Sequence, residues 1–458
     1  MTALVGPRNE GEALAFLESL APSGVRLGLD RVYAALRAVR NPERDFPAVH
    51  VAGTNGKGST CAFAATCLAT QGYRVGLYTS PHLVRVNERI KVNGRDIPDE
   101  TLGRRILEVL ELYPEAAATP APLTYFELGT LVALWHFSRE KVDVAVLETG
   151  LGGRLDATTA ARPVVTAVTP LSFDHMDYLG HTLAAIAGEK AGIFKAGVPA
   201  VSSRQPPEAL EVLERVAREV GARLYLEGRD FAFEPEPGEG TRTYAYRGMR
   251  TKVPKLWPGL SGEHQIQNAA VALACLELLE DRGLPISQAS ARDGLAATEW
   301  PGRLEVVDGR PPLLLDGAHN PAGAAALAAA LDDLRPLLAG GSEQPPVPLV
   351  LVWAAMADKD VVGTIAAVAR STALHGATVV CTAPALPRAL APDALAAAWT
   401  RAGVPRLAVR TAPSPTAALD AALALGHGAV VVAGSLYLVG AVRSRLVDDP
   451  LLSDPVAA

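Results

Sequence analysis

The sequence predicts an α/β protein in two parts: an N-terminal domain with a mostly parallel sheet and a small antiparallel sheet, and a C-terminal Rossmann-like α/β domain. Three observations carry this reading. Short apolar runs of strand length alternate with helix-period segments along most of the chain. The first such run opens into a glycine-rich loop, and a fresh strand–helix series begins after residue 303. The 458 residues allow roughly two to three domains, and the division is placed at 1–303 and 304–458. Hydrophobic residues make up 49% and aromatics only 5%, the balance of helices that pack closely through small side chains. A net charge of −6 gives no basic footprint, which excludes broad nucleic-acid binding. Four scattered cysteines without a Cys-x-x-Cys pair indicate neither a zinc site nor a disulfide framework. Residues 1–12 carry no signal pattern, and no uncharged apolar run of about 20 residues is present, so a cytoplasmic protein outside the membrane is expected.

Apolar periodicity gives two short helices within residues 11–39, joined by Leu27-Gly28-Leu29-Asp30. Asp30 is either the N-cap of the second helix or a ligand contact. A strand over residues 48–52 then runs into Gly53-Thr54-Asn55-Gly56-Lys57-Gly58-Ser59-Thr60 and a helix-like stretch. Strand, phosphate loop and helix in that order mark a P-loop NTPase-like domain. Glycines let successive N–H groups face one anion, the helix N-terminus adds partial positive charge, and Lys57 adds a full one. The loop departs from the Walker spacing. Only two residues separate Gly53 from Gly56, and Gly58 stands where a Ser or Thr would hold Mg²⁺, so the metal draws ligands from elsewhere. The plainer alternative is a glycine turn that merely joins strand to helix.

Residues 74–80 form a second strand with Ser80 at its carboxyl end, where ligand groups gather in open α/β sheets. Residues 81–96 are a solvated hairpin or a loop over the site. Thr124-Tyr125-Phe126-Glu127 opens an apolar helix with capping-box spacing, which gives Glu127 a structural reading beside a functional one. Residues 143–148 read as a buried strand ending in Glu148, a position from which a carboxylate reaches Mg²⁺. Another strand at 164–168 precedes Asp174-His175; a lone histidine is usually structural, but this one lies among acids after a strand of the same sheet. Lys190 closes a helix that starts near Leu183, where a cation also suits the helix dipole. Short alternations over residues 223–253 read as the small antiparallel sheet, and residues 262–279 as a helix. Strands at 313–315, 349–352, 378–381, 408–411 and 429–433, with Ala-rich helices between, make the Rossmann-like domain, with a surface loop at 338–348.

Seven blocks follow one another between about residues 25 and 445: Gly53-Thr54-Asn55-Gly56-Lys57-Gly58-Ser59, Thr79-Ser80-Pro81-His82-Leu83, Glu148-Thr149-Gly150-Leu151-Gly152-Gly153-Arg154-Leu155-Asp156-Ala157-Thr158, Asp174-His175, Glu189-Lys190-Ala191-Gly192-Ile193, Asp316-Gly317-Ala318-His319-Asn320 and Gly434-Ser435-Leu436-Tyr437-Leu438-Val439-Gly440. Together they resemble the folylpolyglutamate synthase/dihydrofolate synthase branch of the Mur-type ADP-forming ligases. The resemblance implies an ATP-dependent ligase that joins L-glutamate to folates and to dihydropteroate through an acyl phosphate, releasing ADP and phosphate. It implies that Gly56, Lys57, Gly58 and Ser59 bind ATP phosphates, and that Ser80, Glu148 and His175 hold Mg²⁺. Lys190 is implied to be carbamylated and a further metal ligand, which calls for a buried lysine of depressed pKa. Lys57, Glu148, His175 and Lys190 then form the catalytic set. Asn268, Arg303, Asp316 and His319 match ATP-contacting positions. Gly28, Leu29, Asp30, Thr124, Tyr125, Phe126, Glu127, Arg154, Leu155 and Asp156 match pterin- or folate-contacting ones. Thr159 stands where family members often carry Asn. A monomer without nucleic-acid or membrane partners is expected; a Mur ligase for UDP-linked substrates and a P-loop small-molecule kinase are the alternatives.

Overall fold

The computed structural model describes residues 7–21, 24, 26–117, 122–237, 243–309, 311–338, 348–426 and 428–446. The chain divides into two compact units, Met1–His82 with Val86–Gly259 and Ile266–Thr298, and Leu83–Arg85 with Leu260–Gln265 and Glu299–Ala458.

In the first unit, β1 (Ala48–Ala52), β2 (Val75–Tyr78), β3 (Ile90–Val92), β4 (Arg95–Asp96), β5 (Val144–Glu148), β6 (Pro163–Val168), β7 (Ala200–Ser202) and β8 (Leu224–Leu226) form one sheet. Its order is β4-β3-β2-β5-β1-β6-β7-β8. Six strands are parallel, and the β3–β4 hairpin adds an antiparallel edge. β1 and β5 are buried at every residue, as a strand covered on both faces must be. Because β1 lies between β5 and β6, and β5 beside β2, the loops leaving the carboxyl ends of these four strands are neighbours. That edge is where ligands bind in open parallel sheets.

Residues 81–96 resolve into a 3₁₀ turn, Val86–Arg89, and the β3–β4 hairpin. The stretch at 223–253 differs from expectation, since its first strand, β8, joins the main sheet in parallel with β7. The antiparallel sheet is β9 (Ala232–Pro235), β10 (Tyr244–Arg247) and β11 (Lys252–Leu256), in the order β11-β10-β9. Alternation alone does not separate a half-buried edge strand from a hairpin strand. Buried Glu277 closes the β10–β11 turn, accepting from the Tyr246 hydroxyl and the amides of Met249, Arg250 and Thr251.

The second unit holds β12 (Glu305–Val307), β13 (Leu313–Leu315), β14 (Val350–Trp353), β15 (Thr378–Cys381), β16 (Ala408–Thr411) and β17 (Val430–Ala433), in the order β12-β13-β17-β14-β15-β16. Only β12 is antiparallel to its neighbour. Strand alternation sends Leu314, Leu351 and Val431 into one apolar cluster with Leu327 and Leu331, and Leu313, Val350 and Val432 into another with Leu419 and Leu438. Helices therefore cover both faces. Of the loop expected at 338–348, Leu338 ends the helix Pro321–Leu338 and residues 339–347 lie outside the described residues. All four cysteines are free and buried. Among the described residues no helix is long and apolar enough to cross a membrane.

Candidate active site

The phosphate loop leaves β1 at Gly53. A Cβ there would stand 1.8 Å from the Thr169 hydroxyl oxygen, and one at Gly56 (φ +84°) would stand 2.2 Å from Asn268 Oδ1. Only glycine fits either position. The amides of Thr54 and Asn55 donate to the Pro170 carbonyl (3.1 and 3.3 Å), while the Thr54 hydroxyl donates to Ser172 O and accepts from Ser172 N, each at 3.1 Å. The loop is thus pinned to the segment after β6. The helix Lys57–Gln71 starts behind Gly56 with no side-chain cap, so no capping side chain competes for the helix N-terminus, the part of a helix that binds anions. Lys57 Nζ donates to Thr54 O (3.2 Å) and lies 3.9 Å from Glu148 Oε1.

Glu148 ends β5, is 4% exposed, and accepts the Ser80 amide at Oε2 (3.0 Å). Ser80 follows β2, so two neighbouring strands bring these residues together. Oxygen donors suit Mg²⁺, which usually takes one or two protein ligands and fills its octahedron with water and substrate phosphates; Glu148 and the Ser80 hydroxyl fit that ion. Among the described residues, no group of three or more His, Cys, Asp or Glu side chains forms a ready-made metal site. His175 has a left-handed backbone (φ +50°) ahead of the short helix Met176–Leu179. Its amide donates to Asp174 Oδ1 (2.8 Å), and its ring Nε2 lies 3.9 Å from the same oxygen. Lys190, in the helix Leu183–Ala191, is 4% exposed and donates from Nζ to Gly53 O (2.7 Å). It is not a solvated helix-end cation. Burial, with Lys57 nearby, lowers its amine to about 7, against the opposite pull of Asp174 and Asp156.

The helix Tyr125–Arg139 begins with the capping box: Thr124 Oγ1 accepts from Glu127 N, and Glu127 Oε2 accepts from Thr124 N (2.8 Å). Glu127 also accepts from Arg31 Nη2 at 2.7 Å. Phe126 lies 5.9 Å from the Tyr78 ring and occupies the space a Cβ on Gly150 would need, while Arg89 lies over the Tyr125 ring. Phe126 therefore packs on the loop after β5. In that loop Asp156 is buried and Leu155 half-buried, whereas Arg154 points outward to Glu189 (2.7 Å). The Thr159 hydroxyl donates to Gly153 O. Gly28 takes φ +128° in open space, and Leu29, not Asp30, is the N-cap of the helix Asp30–Ala38. The helix begins one residue earlier than a cap at Asp30 implies, which places Asp30 in its first turn, where a carboxylate suits the dipole.

In the second unit, Asp316 accepts from Leu304 N (3.0 Å) and Ala318 N (2.9 Å), fixing the loop after β13. His319 Nδ1 bonds Gly317 O (2.8 Å), and Arg303 Nη1 donates to Gly302 O (3.1 Å) beside Gly317. His264, given no site role in the sequence reading, lies in the same unit within electrostatic reach of Asp316 and Arg303; burial lowers its pKa, Asp316 raises it and Arg303 lowers it. Sequence reasoning also gave no role to Arg31 or His50, and named Thr158 only as the end of a motif block. Only His50 carried a signal, as a polar residue inside an apolar strand.

The description "Mur ligase middle domain" matches residues 51–276, and "Mur ligase, glutamate ligase domain" matches residues 302–436. Folylpolyglutamate synthase of Lacticaseibacillus casei is 34% identical over 96% of this chain and 99% of its own length. Dihydrofolate synthase/folylpolyglutamate synthase of Bacillus subtilis is 38% identical over 69% of this chain and 75% of its own. Among solved structures, Mycobacterium tuberculosis folylpolyglutamate synthase with ADP and AMPPCP aligns at a TM-score of 0.85, 34% identity, and 96% and 100% coverage. E. coli FolC with DHPP and ADP aligns at 0.82, 33% identity, and 96% and 98% coverage. With the phosphate loop, the strand-end Glu148 and the buried Lys190 in the order of the motifs, the chain belongs to the folylpolyglutamate synthase/dihydrofolate synthase family of Mur ligases.

Proposed function

We propose that this chain is an ATP-dependent ligase that adds L-glutamate to folates, extending the polyglutamate tail of tetrahydrofolate, and to dihydropteroate, releasing ADP and phosphate. The observation that carries the reading is the meeting of Lys57, Glu148 and Ser80 at the carboxyl edge of one parallel sheet, with buried Lys190 tied to the loop's first glycine. A free carboxylate is a poor electrophile. Its oxygen attacks the γ-phosphorus of ATP and ADP leaves; the glutamate amine then attacks the acyl carbon of the acyl phosphate, phosphate leaves, and the amide forms. No side-chain nucleophile is needed.

Gly56, Lys57, Gly58 and Ser59 are assigned to the phosphates, with Lys57 neutralising charge that builds during transfer. Glu148 and the Ser80 hydroxyl, with His175, would hold Mg²⁺, which supplies charge neutralisation on the phosphate oxygens. Asn268, packed against Gly56, and Arg303, Asp316 and His319 are assigned to the nucleotide. Gly28 to Asp30, Thr124 to Glu127 and Arg154 to Asp156 are assigned to the pteridine substrate. The division into 1–303 and 304–458 is likewise our reading, supported by the family matches that stop at 276 and resume at 302. We place the protein in the cytosol as a monomer.

ADP release from purified protein must require L-glutamate together with a folate or dihydropteroate. Release without glutamate, coupled to phosphorylation of the acceptor, is the kinase outcome and overturns the reading. Lys190 is assigned a carbamate, formed when its neutral amine adds CO₂ and loses a proton. A lysine held near pKa 7 is about half neutral at neutral pH. Protein equilibrated with ¹³C-bicarbonate should show a carbamate carbon signal that Lys190→Met removes; no signal in the unsubstituted protein counts against the modification.

A further inference from the structure

His50 sits in the middle of β1, three residues before the phosphate loop, and is fully buried. Its Nε2 lies 2.8 Å from Thr158 Oγ1. That hydroxyl donates its single hydrogen to Asp156 Oδ1 at 2.5 Å. Asp156 Oδ1 also accepts the Thr158 amide (3.0 Å), and Oδ2 accepts the Leu151 amide (2.8 Å). A carboxylate with both oxygens receiving amide hydrogens is held as the acceptor. Since a hydroxyl has one hydrogen to give, the Thr158 oxygen has only lone pairs left for His50. The imidazole must donate, from Nε2–H. Its Nδ1 is then the unprotonated nitrogen, and that atom has no partner among the described residues, as a ring neutral in the folded state allows. Burial first, and Lys195 second, favour the neutral ring, lowering its pKa to about 3.

We propose that His50 is a positioning residue for the pteridine substrate: through Thr158 it holds the Asp156 carboxylate, and with it the loop Gly150 to Asp156, in register with the strand that bears the phosphate loop. The inference rests on the assignment of Asp156 to substrate binding. The polarity of the chain runs one way, His50 Nε2–H to Thr158 Oγ1–H to Asp156 Oδ1, so each group has one permitted orientation. Losing the first donor frees the Thr158 hydroxyl to rotate and Asp156 to shift. Lys57 and Gly56 keep their own contacts, with Thr54 and Asn268, so the direct effect of losing His50 falls on Asp156 rather than on the phosphate-binding residues.

The test compares the unsubstituted protein with His50→Gln, whose side-chain amide reaches to the Nε2 position and keeps a donor, and His50→Leu, which has none. His50→Leu should raise the KM for dihydropteroate roughly tenfold or more, the scale of losing a hydrogen bond to a charged network, with the KM for ATP unchanged. His50→Gln should restore most of it. Thr158→Val and Thr158→Ser form a second pair with the same expected order, should His50→Leu not fold. A role in packing alone would lower the unfolding midpoint of His50→Leu while leaving the ratio of the two KM values intact, and that result overturns the proposal. ¹⁵N NMR of the histidine ring is a readout independent of turnover. An Nε2-protonated neutral tautomer for His50 is expected, and an Nδ1-protonated one contradicts the chain. Failure of the unsubstituted protein to ligate glutamate would refute the assigned activity and leave the ¹⁵N result to judge the hydrogen-bond chain by itself.

Discussion

Glu148→Gln is expected to lower glutamate-dependent ADP release by roughly 10²–10³-fold, the range seen when one fixed electrostatic group is removed from a phosphoryl- or acyl-transfer site. Glutamine has the size of glutamate and keeps an acceptor for the Ser80 amide, the 3.0 Å bond that ties β5 to the end of β2. What it removes is negative charge. That charge lies 3.9 Å from Lys57 and is nearly excluded from solvent, and an anionic oxygen is what a hard divalent cation seeks. The fold should survive, with an unfolding midpoint within about 3 °C of the unsubstituted protein. Steady-state ADP release and a thermal melt check both halves, and near-normal turnover would remove Glu148 from the site.

Acidification is expected to destabilise the first unit well before its carboxylates dominate. Burial lowers His50 from 6.5 to about 3 and, with Arg105 and Arg74 adding to burial and Glu140 opposing, lowers His136 to about 4. Each ring Nδ1 is buried without a partner among the described residues. Unfolded, both would titrate near 6.5, so between that value and about 4 the unfolded chain binds more protons, and stability falls as the pH drops. Each such histidine costs about 1.4 kcal/mol per pH unit below 6.5, or about 2–3 kcal/mol at pH 4.5. Against the ~5–15 kcal/mol that holds a domain folded, two are a large fraction. Asp156 and Glu227, whose carboxyls burial pushes up, act in the opposite sense as they take up protons. The histidine share is isolated by His136→Gln, which should flatten the dependence by about one proton. Urea unfolding followed from pH 7 to 4.5 measures it; stability independent of pH over that window would contradict the buried neutral rings.

The parts of the site legible in the sequence are those whose chemistry is local. The phosphate loop needs a few consecutive residues; the crowding of Gly53 by Thr169 and of Gly56 by Asn268 comes from distant segments and is a second reason for glycine that the local pattern does not carry. Glu148 ended an apolar run and ends β5. The Thr124–Glu127 box was readable because both partners lie within one turn, yet its second bond, to Arg31, crosses 96 residues and left no trace in the pattern. Lys190 could be a helix-end cation or a buried amine, and a bond to Gly53 across 137 residues decides for the second. The chain from His50 to Thr158 spans 108 residues and depends on the β5–β1–β6 order, which no local period encodes. Similarly, three-residue β7 is too short to show a period, and β8 is marked as parallel only by the neighbour it finds.

The assigned activity is tested most directly by supplying ATP, Mg²⁺ and L-glutamate with dihydropteroate in one reaction and tetrahydrofolate in another, and resolving the products by mass. The predicted result is a product heavier by one glutamyl residue, with one ADP and one phosphate formed per amide. No added glutamate in either reaction would contradict it.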